Sequence, residues 1–402
     1  MRIESGGATP NPAAVLYRRC TLDLTTGAQH VAEVPCRNLE EVLGGFGRSF
    51  PLLAALQVQD AYAPANPLIV NTGLLTGTDV MTGLRTYFSA YSPLKVSNSG
   101  LPAAMWSAGS GNFGSKFKWT GLDELIVTGR AQGPVYLLLT EGPQIQVLPA
   151  QDLLGLDTHE KTMLLAKRHP GGHVACIGPA GEAYATNYMA AVAMSTDNQL
   201  KSGDDKSRFA GRGGMGSVMG SKNLLALVAV AKDKFGKITP ELRDLNRAIS
   251  GGPGSAKFRD KDKGGVGGTW SNYEWMQPKA IVPEYNFRPR DDGNVEKQYR
   301  EEVEKQFIVK AESCFRCGIN CHKNIYERNA DGGRGEFRAK FDYEPLCLLT
   351  TNLGVHDPHL SWQLIKLGDN LGMDSISLGT TIGYVLDYNE RHPNKPILNG
   401  AR

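Results

Sequence analysis

The stretch SCFRCGINCHK, residues 313–323, carries three cysteines in the spacing C-x2-C-x3-C, at Cys314, Cys317 and Cys321. Thiolates so closely spaced suit a soft metal centre better than a set of structural thiols in a loop. Attachment of c-type haem requires a histidine directly after a C-x-x-C pair, and Gly318 stands there. Radical chemistry with S-adenosylmethionine uses the reverse order, C-x3-C-x2-C. Two centres stay open. Zinc would take the three cysteines with His322, although His322 adjoins Cys321 and neighbouring side chains rarely converge on one tetrahedral ion. A [4Fe–4S] cluster spreads its corners, so a short loop can hold three irons while a distant cysteine takes the fourth. The remaining cysteines, Cys20, Cys36, Cys176 and Cys347, are scattered, and an odd total of seven points to reduced thiols in a cytoplasmic setting.

A second group of residues suits phosphate. FAGRGGMGSVMGSKNLLAL (209–227) contains Gly211, Gly213 and Gly216, formally G-x-G-x-x-G. The preceding KSGDDKSRFA is too polar for the strand that a dinucleotide fold requires. What the run offers is a glycine nest, with Gly213 and Gly214 beside Arg212, whose amides and fixed cation suit a bound phosphate. A packing turn between strand and helix accounts for the same glycines. NTGLLTGTDVMTGLRTYFSAYSPLK (71–95) places Arg85 in a Gly/Thr-rich loop, and SAGSGNFGSKFKWTG (107–121) forms another nest with Gly109 and Gly111. Three such loops predict a large, polar, phosphorylated ligand held mainly by backbone. In the other half, Glu344, Asp369 and Asp374 lie near Gly368, Gly372 and Gly379, which interrupt a helical pattern. Carboxylates there can accept N–H groups from a heterocycle, or serve as solvated and capping acids.

The elements that position these residues fall into two textures. Residues 1–235 read as strand-rich, with LDELIVTGR (122–130), PVYLLLT (134–140), QIQVLP (144–149), HVACIGPAG (173–181) and LLALVAVAK (224–232) separated by Gly/Pro turns. One helix is expected within 151–168. Residues 236–402 read as mostly helical: Thr239 and Pro240 open a helix, 251–268 is a Gly-rich flexible loop, and 294–313 has spaced apolar residues and mixed charge. EPLCLLTTNLG, LSWQLIKLGDNLG and ISLGTTIGYVLDYNER complete three further helices. No internal repeat is evident along the chain. The fold class is α+β, a β-rich domain followed by helical structure, without the strand–helix alternation of a doubly wound sheet.

Bulk composition sets limits. The 402 residues carry a net charge of +3, with 41% apolar and 21% charged residues, as in an ordinary globular protein with room for two or three domains. No dense basic block argues for nucleic acid, and no apolar run approaches membrane-spanning length. MRIESGGATPNPAAVLYRR has no apolar core behind a basic start, which argues against secretion.

Taken together, GRGGMGSVMGSKNLLAL, the SPLK turn, FGSKFKWTGLDELIVTGRA, ESCFRCGINCHK, DYEPLCLLTTNLG and DNLGMDSIS resemble the tungsten-dependent aldehyde ferredoxin oxidoreductases. The motifs fall in order from about residue 71 to residue 381. The resemblance implies a first domain of two β-sheets, 1–235, cradling a tungsten bis-molybdopterin, and helical structure over 236–402 carrying one [4Fe–4S] cluster. It implies that Cys314, Cys317 and Cys321 bind the cluster, and that Arg85, Gly109, Gly111, Arg212, Gly213 and Gly214 lie in segments contacting the pterins and their phosphates. Asp369 would accept pterin N–H groups with Asp374 as its helper. Glu344 would transfer the proton, its pKa raised by burial.

The implied activity is oxidation of an aldehyde to its carboxylic acid, with electrons leaving through the cluster to ferredoxin or an iron–sulfur partner subunit, in an oligomeric cytoplasmic enzyme. Reduction of an aromatic acyl-CoA on the same scaffold, and a non-catalytic electron-transfer or scaffold role, are the alternatives. The family supplies a later D-x-x-G-x-C element for the fourth cluster cysteine, which this chain, stopping at Arg402, does not contain; Cys347 sits in an apolar helix and reads as core. Ala108 stands where an asparagine is expected before the glycines, and this bears on a Mg ion bridging the pterin phosphates.

Overall fold

A computed structural model describes residues 16–36, 43–259, 265, 267–288, 290 and 292–398. The N-terminal reading and part of the 251–268 loop, residues 260–264 and 266, fall outside them, while Pro253–Ala256 within that loop forms a helical turn.

The β-rich first half builds two six-stranded sheets. The first contains β1 (Leu16–Asp23), β2 (Gln29–Pro35), β3 (Leu68–Thr72), β4 (Thr86–Val96), β5 (Pro102–Gly109) and β6 (Glu124–Thr128), in the order β2-β1-β6-β3-β4-β5. The second contains β7 (Val135–Thr140), β8 (Gln144–Pro149), β9 (Gly172–Cys176), β10 (Val192–Met194), β11 (Arg208–Ala210) and β12 (Leu224–Val230), in the order β8-β7-β12-β9-β10-β11 when read from that edge. The two orders are the same pattern shifted by six strands. Each sheet has one parallel pair, β1 with β6 and β7 with β12, and antiparallel neighbours elsewhere. Each also carries a helix before its third strand, Phe46–Ala54 and Thr158–Arg168, and one before its last, Phe113–Trp119 and Met215–Ser221.

The first half is therefore a structural repeat that the sequence reading does not see. Its clearest sequence trace is short: A-G-S-G-N-F-G-S at 108–115 and A-G-R-G-G-M-G-S at 210–217 enter the two equivalent helices. Strands β3, β9 and most of β12 are buried along their length, which explains their continuous apolar runs. Leu68, Val70 and Val127 of one sheet share one hydrophobic core with Leu137, Val174 and Val228 of the other.

The second half has its own core, built on Trp270, Tyr273, Val303, Phe307, Ile325, Phe341, Leu346 and Ile365. The expected N-cap forms: Thr239 accepts from Leu242 N at the start of the helix Pro240–Gly251. The helices Tyr343–Leu348, Pro358–Leu371 and Ser375–Arg391 match the three read after the cysteines.

The segment before the cysteines differs from its reading. Arg300–Gln306 is helical, but Phe307–Glu312 turns into β13 of a three-stranded antiparallel sheet with β14 (His322–Arg328) and β15 (Arg334–Lys340). The reason is local. Ile308 and Val309 favour extended backbone, and β14 brings Tyr326 and Ile325 to pair with them.

Candidate functional site

The three cysteines occupy the connection between β13 and β14, whose register pairs Glu312 with His322. Arg316 and Asn320 adopt left-handed φ of 50° and 55°, and Cys317 N donates to Cys314 O at 3.0 Å, so the loop is coiled rather than extended. All three thiols are reduced and half-buried, and burial raises the pKa of Cys317 and Cys321. His322 lies 3.2 Å from Cys314 Sγ through Nε2 and is held neutral, burial first and then the charges of Arg208, Lys340 and Lys323 pushing its pKa well down. No group of three or more His, Cys, Asp or Glu side chains converges on a single ion position among the described residues. Cys347 packs fully buried in the second core, its thiol pKa driven well up by burial, as the core reading expects.

The cysteine loop is seated on the first half. Arg316 forms an ion pair with Asp79 and lies over the Phe235 ring, 3.3 Å from its centroid. Gly318 faces Met81, where an added Cβ would meet Met81 Cε at 3.3 Å. Asp79 and Met81 belong to the Gly/Thr-rich loop that ends at Arg85.

Arg85 leads to a cavity of about 180 Å³ whose lining includes Arg85, Ser110, Gly211, Arg212, Glu344, Asp369 and Asp374. Residues read separately along nearly 300 positions thus come to one place. Asp374 is spoken for: it caps the helix Ser375–Arg391, accepting from Ile376 N at 3.0 Å and Ser377 N at 3.2 Å, and meets Arg212 Nε at 3.3 Å. Asp369 is different. Its carboxylate makes no hydrogen bond among the described residues, and burial, with the nearby charges of Asp205 and Asp342 adding to it against Lys340 and Arg208, raises its pKa to about 7. Among the described residues it is an acceptor in the cavity wall without a donor. Glu344 stands in the first turn of its helix at the cavity rim, exposed. The burial expected for it is absent, because Tyr343 and Leu346 take the inward positions of that helix.

The glycines divide. Gly109 and Gly111 serve packing: an added Cβ would meet Met194 Cε at 2.0 Å and Ser195 O at 2.8 Å respectively. Gly214 combines φ of 72° with a Cβ position 2.4 Å from Tyr188 O. Gly213 is held through its carbonyl by Ser92 Oγ at 2.7 Å, which ties the nest to the SPLK segment, read as a turn but lying within β4. Of the glycines at 109, 111, 211, 213 and 214, Gly211 has open space at its Cβ position, and it lines the cavity. Arg85 Nη1 reaches Ala108 O at 3.4 Å, so the first nest contributes a carbonyl where an asparagine was expected.

Sequence reading missed a set of charges behind the cavity. Arg208, Lys340 and Asp342 line it too, and Arg208, Lys340 and Asp369 also line a smaller cavity beside Ser313 and His322. Lys340 pairs with Asp342 at 2.9 Å. Burial works against the Asp342 charge, but Lys340 and Arg208 hold its pKa below the ordinary value. The signal available was the alternation K-F-D after β15, which points Lys340 and Asp342 to one side.

Comparison with known proteins followed the same segments. Residues 19–231 match the family profile "Aldehyde ferredoxin oxidoreductase, N-terminal domain", and residues 257–396 match "Aldehyde ferredoxin oxidoreductase, domains 2 & 3". A tungsten-containing aldehyde ferredoxin oxidoreductase of Pyrococcus horikoshii is 30% identical over 362 residues, covering 86% of this chain and 54% of the relative. The WOR-like subunit of an aliphatic sulfonate oxidoreductase of Pyrococcus furiosus is 26% identical over 400 residues, covering 93% of this chain and 60% of the relative. The chain spans little more than half the length of these relatives. Among solved structures, the active-site complex BamBC of benzoyl coenzyme A reductase with 1,5-dienoyl-CoA superposes with a TM-score of 0.74 at 20% identity, covering 96% of this chain and 58% of that one.

Proposed function

Because the chain belongs to the aldehyde ferredoxin oxidoreductase family, we propose that it forms the cofactor-binding part of an enzyme oxidising aldehydes to carboxylic acids, with water as oxygen source. The observation that carries this reading is the convergence of Arg85, Arg212, Glu344, Asp369 and Asp374 on one cavity, with the cysteine loop behind its wall. When bound, tungsten bis-molybdopterin supplies two-electron redox chemistry and carbonyl polarisation, and a [4Fe–4S] cluster passes electrons singly to ferredoxin or an iron–sulfur partner subunit. Arg85 and Arg212 would neutralise pterin phosphates, Arg212 being oriented by Asp374. Asp369 would accept a ring N–H at its undonated carboxylate. Glu344, at the rim, would take a proton on its carboxylate and return it to solvent. Cys314, Cys317 and Cys321 are the cluster ligands this chain would supply.

The test is anaerobic purification followed by analysis of tungsten, pterin, iron and acid-labile sulfide, with an aldehyde:viologen assay. Full activity with sub-stoichiometric tungsten would defeat the reading, and zinc in place of iron would defeat the cluster. Ring reduction of an aromatic acyl-CoA is a second reading, supported by likeness of fold to BamBC; activity on benzoyl-CoA but not benzaldehyde would favour it. A cluster without pterin would favour an electron-transfer or scaffold subunit. Membership of a multi-subunit assembly is part of the proposal, supported by relatives named as a subunit and a complex. Among the described residues no helix is long and apolar enough to cross a membrane, and we place the enzyme in the cytoplasm.

A further inference from the structure

We propose that Arg208 is a positioning residue between the two redox groups, donating from Nη1 to the sulfur side of the Cys314–Cys321 loop and raising the reduction potential of the cluster held there. The inference rests on the reading above that the loop binds an iron–sulfur cluster.

Arg208 opens the short edge strand β11, four residues before Arg212. Its position is singular for a geometric reason. Of the residues lining the 180 Å³ cavity, only Arg208, Lys340 and Asp369 also line the smaller cavity that reaches Ser313 and His322. These three side chains form the wall between the pterin side and the cysteine side. Lys340 is matched by Asp342 at 2.9 Å, and Asp369 is an acceptor. Arg208 Nη1 is buried and has no hydrogen-bond partner among the described residues. Leaving a buried charged donor unmet costs more than leaving a neutral one, so an acceptor belongs there.

The surroundings say on which side that acceptor lies. The charges that couple to the guanidinium, after the opposing effect of burial, are Cys314, Asp342, Cys321 and Asp369, in that order. Asp342 already has Lys340 and the Thr269 hydroxyl. On the cysteine side the other cations are directed elsewhere. Arg316 is turned to Asp79, and Lys323 Nζ donates to Asn320 O at 2.8 Å. Arg208 is thus a fixed positive charge facing the thiols from within the fold, beside Lys340, which Asp342 already engages. Only arginine offers a planar fork that can serve sulfur with one nitrogen and the carboxylate side with another. A cation and an N–H donor next to cluster sulfur favour the more negative, reduced state.

The experiment compares wild type, R208K and R208Q, purified anaerobically, by EPR-monitored reductive titration together with iron, sulfide and pterin content. The expected result is a lower midpoint potential in R208Q with the cluster retained, and a smaller downward shift in R208K, which keeps the charge and loses the fork. A merely structural role would reduce cluster content without moving the midpoint of the clusters that remain. An unchanged midpoint in cluster-bearing R208Q overturns the proposal; if R208Q fails to fold, an unchanged midpoint and line shape in R208K does so. Wild type lacking any cluster signal overturns the functional reading itself, and this inference with it, which distinguishes the two failures.

Discussion

At the scale of single residues, two aspartates in one cavity have opposite energetics. Asp374 has every lone pair engaged by helix N–H groups, Ser377 and Arg212. Replacing it by alanine removes an N-cap and leaves its partners unmet, so D374A is expected to lower stability by about 1–2 kcal/mol in urea denaturation. Asp369 gains nothing comparable, and its pKa is raised to about 7 from 3.8. The sign follows from proton counting. Between about pH 4 and pH 7 the folded state holds a proton that the unfolded state has lost, so this carboxylate makes the apoprotein less stable as pH rises. D369N is therefore expected to stabilise the apoprotein at pH 8, by on the order of 1–3 kcal/mol, and to leave it unchanged near pH 3.5. The same substitution should lower pterin content, because an amide cannot replace the carboxylate as acceptor for two ring donors. Equal stabilisation at both pH values would show that Asp369 is not a strained buried acid. Cys347 gives a control on the same scale: C347A is expected to leave iron content unchanged at a cost of about 1 kcal/mol, since its thiol faces the apolar core.

At the scale of elements, the glycine-rich run is two things at once. Its first glycines open a cavity, whereas Gly216 and Gly220 belong to the helix Met215–Ser221 packed backbone to backbone. An added Cβ at Gly220 would lie 1.9 Å from Gly181 O, in the helix Pro179–Glu182, and one at Gly216 would lie 2.3 Å from Ala191 O. G220A is accordingly expected to cost about 3 kcal/mol or more, read as loss of soluble protein or a collapsed thermal transition. A variant as stable as wild type would mean that the helix can slide, and the nest of Arg212 with it. This double use explains what was legible in the sequence. The strands read within 122–149 and 224–232 and the three helices after the cysteines followed from period and β-branched content, and residues that meet at the cavity were singled out by motifs in order. The three-stranded sheet around the cysteines was not legible, because Arg300–Gln306 runs as helix straight into Phe307–Glu312 with no Gly or Pro between them. The repeat of the two sheets was hidden because topology, not sequence, is what the halves share. Arg208 and Lys340 were missed because single cations carry no spacing signal until the fold sets them against the thiols.

At the scale of the whole molecule, the 180 Å³ cavity is lined from both the first half and the helices of the second, while the cysteine loop is held by its own contacts. The helices bearing Asp369 and Asp374 meet the first half through a narrow backbone seam. Ala191 N donates to Gly372 O and Asp374 N to Met189 O, both at 2.8 Å, and Thr158 Oγ1 donates to Asp369 O at 2.9 Å. Gly178 completes that seam: an added Cβ there would sit 2.3 Å from Leu371 O and 2.9 Å from Gly372 N. The cysteine loop is anchored separately, by the β13–β14 register, by Arg316 on Asp79 and by Lys206, which reaches Glu312 at 3.2 Å. A methyl group at Gly178 must therefore push the helix turn that follows Asp369 away from the first half without touching the loop. G178A is expected to retain the iron and sulfide content of wild type and to lose pterin, measured as the fluorescence of the oxidised pterin after denaturation. If iron and pterin instead fell in parallel, the two centres would depend on a single rigid seat, and the separate anchoring of the loop would be refuted.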